Sequence, residues 1–236
     1  MQMPDDPKVL ILGTSYIYNQ HRKDELFLWD RLVHKLNPYV DTLLIDSDSP
    51  FDPRNFTVPS RLNVQTLIHM EENIGHPTVG GDGWGRDLCF GIDYAIRKNY
   101  EWLVFIESDL VFTRPVMPIV KKLCRIGCLA AMPITTKFQW LETGLMFLSV
   151  PYLNQIHFVD RYNWSSHTAP FYCELEMEKL LENELLTLPL RGLRNDDQII
   201  TRENFDSVFP IGVDYLTHCL DFELYNMLLR RNGIEL

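Results

Sequence analysis

Residues 101–112 read EWLVFIESDLVF, an apolar run broken by Glu107, Ser108 and Asp109 that resumes at Leu110. Two carboxylates at positions i and i+2 of an extended segment project to one side of the backbone, with the serine opposite. Burying unpaired charges is costly, so such a pair at the end of an apolar strand implies a cation, a basic neighbour or a solvent-filled crevice. A divalent metal suits two such carboxylates. The alternative is a solvated turn, with Asp109 near Arg114.

The surrounding elements have to place that pair. KVLILGTSY (8–16) is an apolar run opening into Gly-Thr-Ser, as a buried strand entering a loop does. Leu26, Trp29, Leu32, Val33 and Leu36 recur at helical spacing and are followed by Asn37-Pro38 as a stop. VDTLLIDSDSP supplies a second strand ending in Asp46, Ser47 and Asp48. A strand, helix, strand order predicts parallel strands joined by a right-handed crossover, with both strand ends on one sheet edge. In open α/β sheets that edge binds ligands.

Farther along, RLNVQTLIHMEEN fits either a short strand or a helix. A Gly-rich loop leads into a helix from about Trp84, with Leu88, Ile92, Ala95 and Ile96 on one face, and WLVFIESDLVF follows as a central strand. MPIVKKLCRIG predicts a helix, CLAAMPITT and TGLMFLSVPYL strands, ELEMEKLLENELLTLPL a helix, NDDQIITREN a helix entry and LDFELYNMLLRRNG a closing helix. No internal repeat or low-complexity linker is visible.

Composition narrows the function classes. At 236 residues the chain suits one domain that buries roughly 70% of its unfolded surface. A net charge of −10 argues against nucleic acid or an anionic membrane as partner, because both need a positive footprint. Five cysteines without a CxxC pair argue against a disulfide framework or structural zinc and read as buried reduced thiols. The sequence shows neither a signal peptide nor a long apolar window, which predicts a cytoplasmic protein with no integral membrane segment. The Asn163-Trp164-Ser165 acceptor motif is then idle, and Trp84, Trp140, Tyr162 and Trp164 read as packing residues, some able to stack on sugar rings.

An apolar strand ending in acid-x-acid after these β-α-β units resembles the DXD signature of GT-A glycosyltransferases, here Glu107-Ser108-Asp109 with Glu in first place. Other landmarks of that family follow in order. Gly13, Thr14, Ser15 and Tyr16 resemble the first-strand end beside the nucleotide, and Asp46 the acid that contacts its base. Arg86 and Asp87 open a helix that resembles the one following the family's Asn-x-Gly loop. Glu142, Thr143 and Gly144 resemble the glycine loop that abuts donor and acceptor. Asp196 and Asp197 resemble the x-E-D motif, and His218 the C-terminal histidine of the metal shell. The order spans residues 8–220, although each motif alone has a plainer reading: Asp196 and Asp197 as first-turn helix acids, Gly144 as a turn glycine, His218 as a structural histidine.

The resemblance implies a single α/β domain over 1–236 with a GT-A (Rossmann-like), mostly parallel central sheet flanked by helices. Residues of about 8–112 would form the nucleotide-binding half and about 113–236 the acceptor-binding half. It implies a metal-dependent, inverting transfer from a UDP- or GDP-linked nucleotide-sugar to a glycan or other hydroxyl acceptor. Mn²⁺ or Mg²⁺ would sit on Asp109, Glu107 and His218. Asp197, with Asp196 second, would be the base, and Thr14, Ser15, Tyr16, Asp46, Arg86, Asp87, Glu107 and Gly144 would bind donor. Two rivals stay open: a nucleotidyltransferase acting on a sugar phosphate, whose G-x-G-T-R loop LGTSYIYNQ lacks, and a non-catalytic nucleotide-sugar or carbohydrate-binding domain.

Overall fold

The computed structural model describes residues 6–56, 61–75, 81–134, 141–167, 172–194, 200–208, 213–217 and 221–236. Strand β1 (Val9–Ser15) is buried along its whole length, as a central parallel strand should be. Helix α1 (Gln20–Leu36) begins at Asn19, whose side chain accepts the Arg22 N–H, and ends at Asn37. The Asn37 side chain also accepts the Val116 N–H, tying this helix end to a later one.

Strands β2 (Asp41–Asp46) and β3 (Thr66–His69) follow, so the segment that fitted strand or helix is a strand. Helix α2 (Gly83–Arg97) is capped by Asp82, which accepts the Gly85 N–H at 2.8 Å. A side chain at Gly85 would overlap Asp82 and Tyr162, so the first turn of α2 can only pack this way with glycine.

The expected single strand from Trp102 to Phe112 is two. Strand β4 (Trp102–Ile106) and strand β5 (Leu110–Phe112) are separated by a turn closed by the Leu110 N–H on the Glu107 carbonyl at 3.0 Å. Next come α3 (Val116–Arg125), β6 (Ala130–Met132), β7 (Leu145–Ser149), α4 (Val150–Gln155), α5 (Phe158–Tyr162) and α6 (Cys173–Leu181). The helix expected through residue 190 stops with α6, because Leu185–Thr187 forms β8 against β6. Strand β9 (Gly192–Arg194), helix α7 (Phe205–Val208), strand β10 (Tyr215–Thr217) and helix α8 (Phe222–Arg231) complete the described chain.

Seven strands form one sheet in the order β3-β2-β1-β4-β7-β6-β8. Strands β3, β2, β1 and β4 are mutually parallel; β7 is antiparallel to both β4 and β6, and β8 parallel to β6. A small second sheet, β5-β10-β9, lies beyond it. Alternation along the strands divides the core between two faces. Leu12, Ile45, Phe105 and Met146 pack with Leu88 and Ile92 of α2, whereas Ile11, Leu44, Val104 and Phe147 pack with Trp29 of α1 and Val120 of α3. A third cluster joins Leu216 and Val111 to Leu224, Tyr225 and Leu228 of α8.

Cysteine burial differs from the expectation of buried thiols: Cys89 is buried, Cys124 is exposed, and Cys128 and Cys173 are in between. No helix of the described residues is long and apolar enough to cross a membrane.

Candidate active site

Parallel strands β1, β2 and β4 end on the same sheet edge, and a cavity of about 440 Å³ opens there. Thr14, Ser15 and Tyr16 line it from the end of β1, Ser47 from beyond β2, and Glu107, Ser108 and Asp109 from beyond β4. Gly83, Trp84 and Asp87 reach it from the start of α2, and Tyr18 and Arg22 from the entry to α1. Chain topology thus brings together six of the residues singled out in the sequence: Thr14, Ser15, Tyr16, Asp87, Glu107 and Asp109.

Gly144 is the seventh. Strand β7 runs antiparallel to β4 with Leu145 opposite Ile106, so the loop before β7 abuts the acidic turn after β4. The Glu107 N–H donates to the Gly144 carbonyl at 2.9 Å. A Cβ at residue 144 would lie 3.0 Å from Glu107 Oε2 and 3.1 Å from Glu142 Oε1. Glycine is what lets two carboxylates approach this point of the backbone.

Asp46 and Arg86 lie behind the lining rather than in it. Asp46 is fully buried, and its carboxylate accepts from Ser15 Oγ at 3.0 Å, from the N–H and Oγ of Ser49, and pairs with His69 Nδ1 at 2.8 Å. That arrangement fixes the β1 and β2 loops to each other. Arg86 is buried too; it donates from Nη1 to the Glu72 carbonyl at 2.8 Å and from Nε to Asp87 at 3.1 Å. Asp87 also accepts from Ser47 Oγ. Burial pushes the Asp87 carboxyl up to about 6, against the lowering pull of Ser47 and Arg86.

The acidic turn has a basic neighbour, and it is not Arg114, which pairs with Asp214. Arg22 Nη1 donates to Asp109 Oδ2 at 2.9 Å and to Glu25 Oε2 at 2.8 Å. Burial works against the charge on Arg22, and the two carboxylates outweigh it, holding its pKa above the ordinary arginine value. Glu25 moves the other way: burial raises it to about 7 despite Arg22. The remaining oxygen of Asp109, Oδ1, is buried and has no hydrogen-bond partner among the described residues.

An orphaned carboxylate oxygen is an expensive thing to bury, and a cation satisfies it. Glu107 and Asp109 therefore fit a divalent cation as two oxygen donors facing one cavity. Among the described residues no cluster of three or more His, Cys, Asp or Glu side chains has metal-binding geometry. Two carboxylates are still a sufficient protein contribution where substrate phosphates and water fill the other positions. Asp196, Asp197 and His218 lie outside the described residues.

Several lining residues escaped the sequence reading. Arg22 lines the cavity with Glu25 behind it; their i,i+3 spacing is common on helices, and nothing local signals a contact with residue 109. Trp84 read as packing, and it does pack on Phe105 with ring centroids 5.6 Å apart, yet it also walls the cavity. Tyr18 is half exposed beside Tyr16, their rings 5.8 Å apart at the rim. A tyrosine two residues beyond Tyr16 in a loop carried no periodic signal.

This sheet order and edge cavity define the GT-A fold, the architecture of nucleotide-diphospho-sugar glycosyltransferases. No family model matches the sequence, and no curated protein sequence matches it. Among solved structures, the chain is similar to the bifunctional glycosyltransferase WbbM, with a TM-score of 0.56 and 11% identity over 93% of this chain. It spans only 47% of that longer protein. It is similar to mouse xyloside xylosyltransferase 1, with a TM-score of 0.55 and 10% identity over 91% of this chain and 98% of the other. It also resembles the galactosyltransferase LgtC solved with donor and acceptor sugar analogues, with a TM-score of 0.54 and 7% identity, covering 96% of each chain.

Proposed function

We propose that the protein is a glycosyltransferase that moves a sugar from a UDP- or GDP-linked nucleotide-sugar to a hydroxyl of a glycan or other acceptor. The observation that carries this reading is the meeting of the acidic turn after β4 with the ends of β1 and β2 around one cavity, the Gly144 loop being hydrogen-bonded to that turn from behind. LgtC, which shares the fold, was solved with donor and acceptor sugar analogues, and that supports a donor lying across the same edge.

In this reading Glu107 and Asp109, with His218, hold Mn²⁺ or Mg²⁺, which when bound neutralises charge growing on the leaving diphosphate as a Lewis acid. Tyr16 and Tyr18 offer aromatic faces to the nucleotide at the rim, while the Thr14 and Ser15 end of β1 receives the ribose and phosphates. Asp46 holds the shape of that floor through Ser15 and Ser49 instead of touching the base. Arg86 acts through Asp87, keeping an otherwise reluctant carboxylate aimed into the cavity. Gly144 lets the Glu107 carboxylate pack close against the loop backbone, which holds the first acid of the turn in place. An inverting reaction then needs a base for the acceptor proton, and Asp197 is the candidate, with Asp196 second.

The test is an incubation of the protein with a panel of UDP- and GDP-sugars in Mn²⁺ or Mg²⁺, reading release of nucleoside diphosphate with and without simple glycoside acceptors. Metal-dependent release with one donor supports the reading. Pyrophosphate release from a nucleoside triphosphate and a sugar 1-phosphate would replace it with nucleotidyl transfer. Binding of a nucleotide-sugar without any turnover would leave a binding domain.

A further inference from the structure

Arg22 is the one positively charged side chain among the described residues that line the cavity, and it is committed to Asp109. Its Nη1 is shared between Asp109 and Glu25, and its side chain remains about one-third exposed toward the opening. Asp109 is thus half satisfied: Oδ2 by the guanidinium, Oδ1 by nothing among the described residues. A divalent cation arriving at Asp109 meets a positive charge already within hydrogen-bond distance of the same carboxylate. Like charges around one low-dielectric carboxylate repel strongly.

We propose that Arg22 is an exchange cation: it holds Asp109 in the ligand-free protein and passes to the donor's diphosphate when a divalent metal takes Asp109. The proposal rests on the reading that a metal binds Asp109. Glu25 makes the exchange feasible, because it keeps one carboxylate on Nη1 while the other is given up. The anchoring is local, since both residues lie in the first two turns of α1, three positions apart on one face. A diphosphate in the cavity supplies the acceptor oxygens that Arg22 loses, and guanidinium binds such oxygens in a fixed fork geometry. Metal alone must therefore displace an arginine that has nowhere as good to go, whereas metal with nucleotide does not.

The consequence is that metal and nucleotide raise each other's affinity by more than their direct contact provides, and linkage makes the factor the same in both directions. No covalent step is involved; the exchange is of hydrogen-bond and ionic partners alone.

The experiment is titration calorimetry of Mn²⁺ into the full chain, alone and with saturating UDP or GDP, for wild type, Arg22→Gln, Arg22→Lys and Asp109→Asn. Arg22→Gln should bind Mn²⁺ alone about tenfold more tightly than wild type, and the enhancement by nucleotide should shrink by about the same factor. Arg22→Lys keeps the competing charge and should bind Mn²⁺ alone close to wild type, which separates charge from any loss of folding; thermal melts of all four proteins accompany the titrations. Unchanged or weaker Mn²⁺ affinity in a folded Arg22→Gln, with binding abolished in Asp109→Asn, overturns the exchange and leaves the metal site standing. Mn²⁺ binding that Asp109→Asn does not alter, or no Mn²⁺ binding by any variant with nucleotide present, removes the metal site and the exchange together.

Discussion

The backbone N–H of Glu107 donates to the carbonyl of Gly144 at 2.9 Å, so the acidic turn and the glycine loop are one hydrogen-bonded unit although they lie far apart in sequence. A Cβ on residue 144 would come within 3.0 Å of the Glu107 carboxylate. Position 144 consequently sets the position of the first acid.

Gly144→Ala follows from that contact. The new methyl meets Glu107 Oε2, Glu142 Oε1 and Leu110 Cδ1 at 3.0, 3.1 and 3.3 Å, tight enough to push the carboxylates aside. A 1 Å misplacement of a positioned group costs about 10²-fold in rate, so a shift of a few tenths of an ångström should cost up to about 10-fold. Turnover assays should show that loss while the melting temperature falls by only a few degrees; unchanged turnover would mean that Glu107 has no part in the reaction.

Asp109→Asn removes the charge from both Arg22 and the proposed metal. Wild type should show a rise in melting temperature with Mn²⁺ plus one nucleoside diphosphate, as ligand binding to the native state demands. The variant should show none with the pair and should keep a melting temperature near wild type, since Arg22 retains Glu25. A retained metal-dependent shift would place the metal elsewhere.

Asp197→Asn tests the base. It should leave folding and donor binding intact while abolishing transfer to the acceptor. Normal transfer by this variant would take Asp197 out of the mechanism and point to a retaining reaction.

Asp87 gives a pH signature. Its carboxyl rises to about 6 in the folded protein through burial, from an unfolded value of about 3.9. Between those values the folded state binds more protons than the unfolded one, so this group's contribution is full below pH of about 4 and is lost as pH rises through about 6. Denaturant melts across that window should show wild type losing on the order of 2–3 kcal/mol relative to Asp87→Asn. Parallel pH curves for the two proteins would show that Asp87 titrates normally.

Trp29→Ala should be severe. The indole is buried and donates from Nε1 to the Ile106 carbonyl at 2.9 Å, and its ring occupies the space that a side chain on Gly13 would need. Deleting a buried Trp costs about 3–5 kcal/mol, which for a chain of this size lowers the melting temperature by roughly 10 °C. Calorimetry reads this directly, and a loss below about 1 kcal/mol would mean the cavity collapses around the site.

Periodicity alone made β1, α1, β2, α2, α3 and α8 readable, because each has a one-sided or fully buried apolar pattern that only one element satisfies. It misread residues 102–112 as one strand. The apolar residues on both sides of Glu107 look continuous, and what separates them is the pairing of Leu110–Phe112 with Tyr215–Thr217, a contact with no local signature. Residues 185–187 have helical composition yet pair with β6, where a place in the sheet outweighs propensity. In the site, residues at strand ends could be named because the α/β edge rule names them. Arg22 could not, since only the tertiary placement of α1 brings its guanidinium against Asp109.

The acidic turn is also where the chain leaves one sheet for the other. Glu107 is tied to β7 of the large sheet through Gly144, while the Asp109 carbonyl accepts from the Tyr225 hydroxyl of α8, which packs against the small sheet. The short turn that carries both carboxylates is therefore a seam between the two sheets, held on one side through Gly144 and on the other through Tyr225.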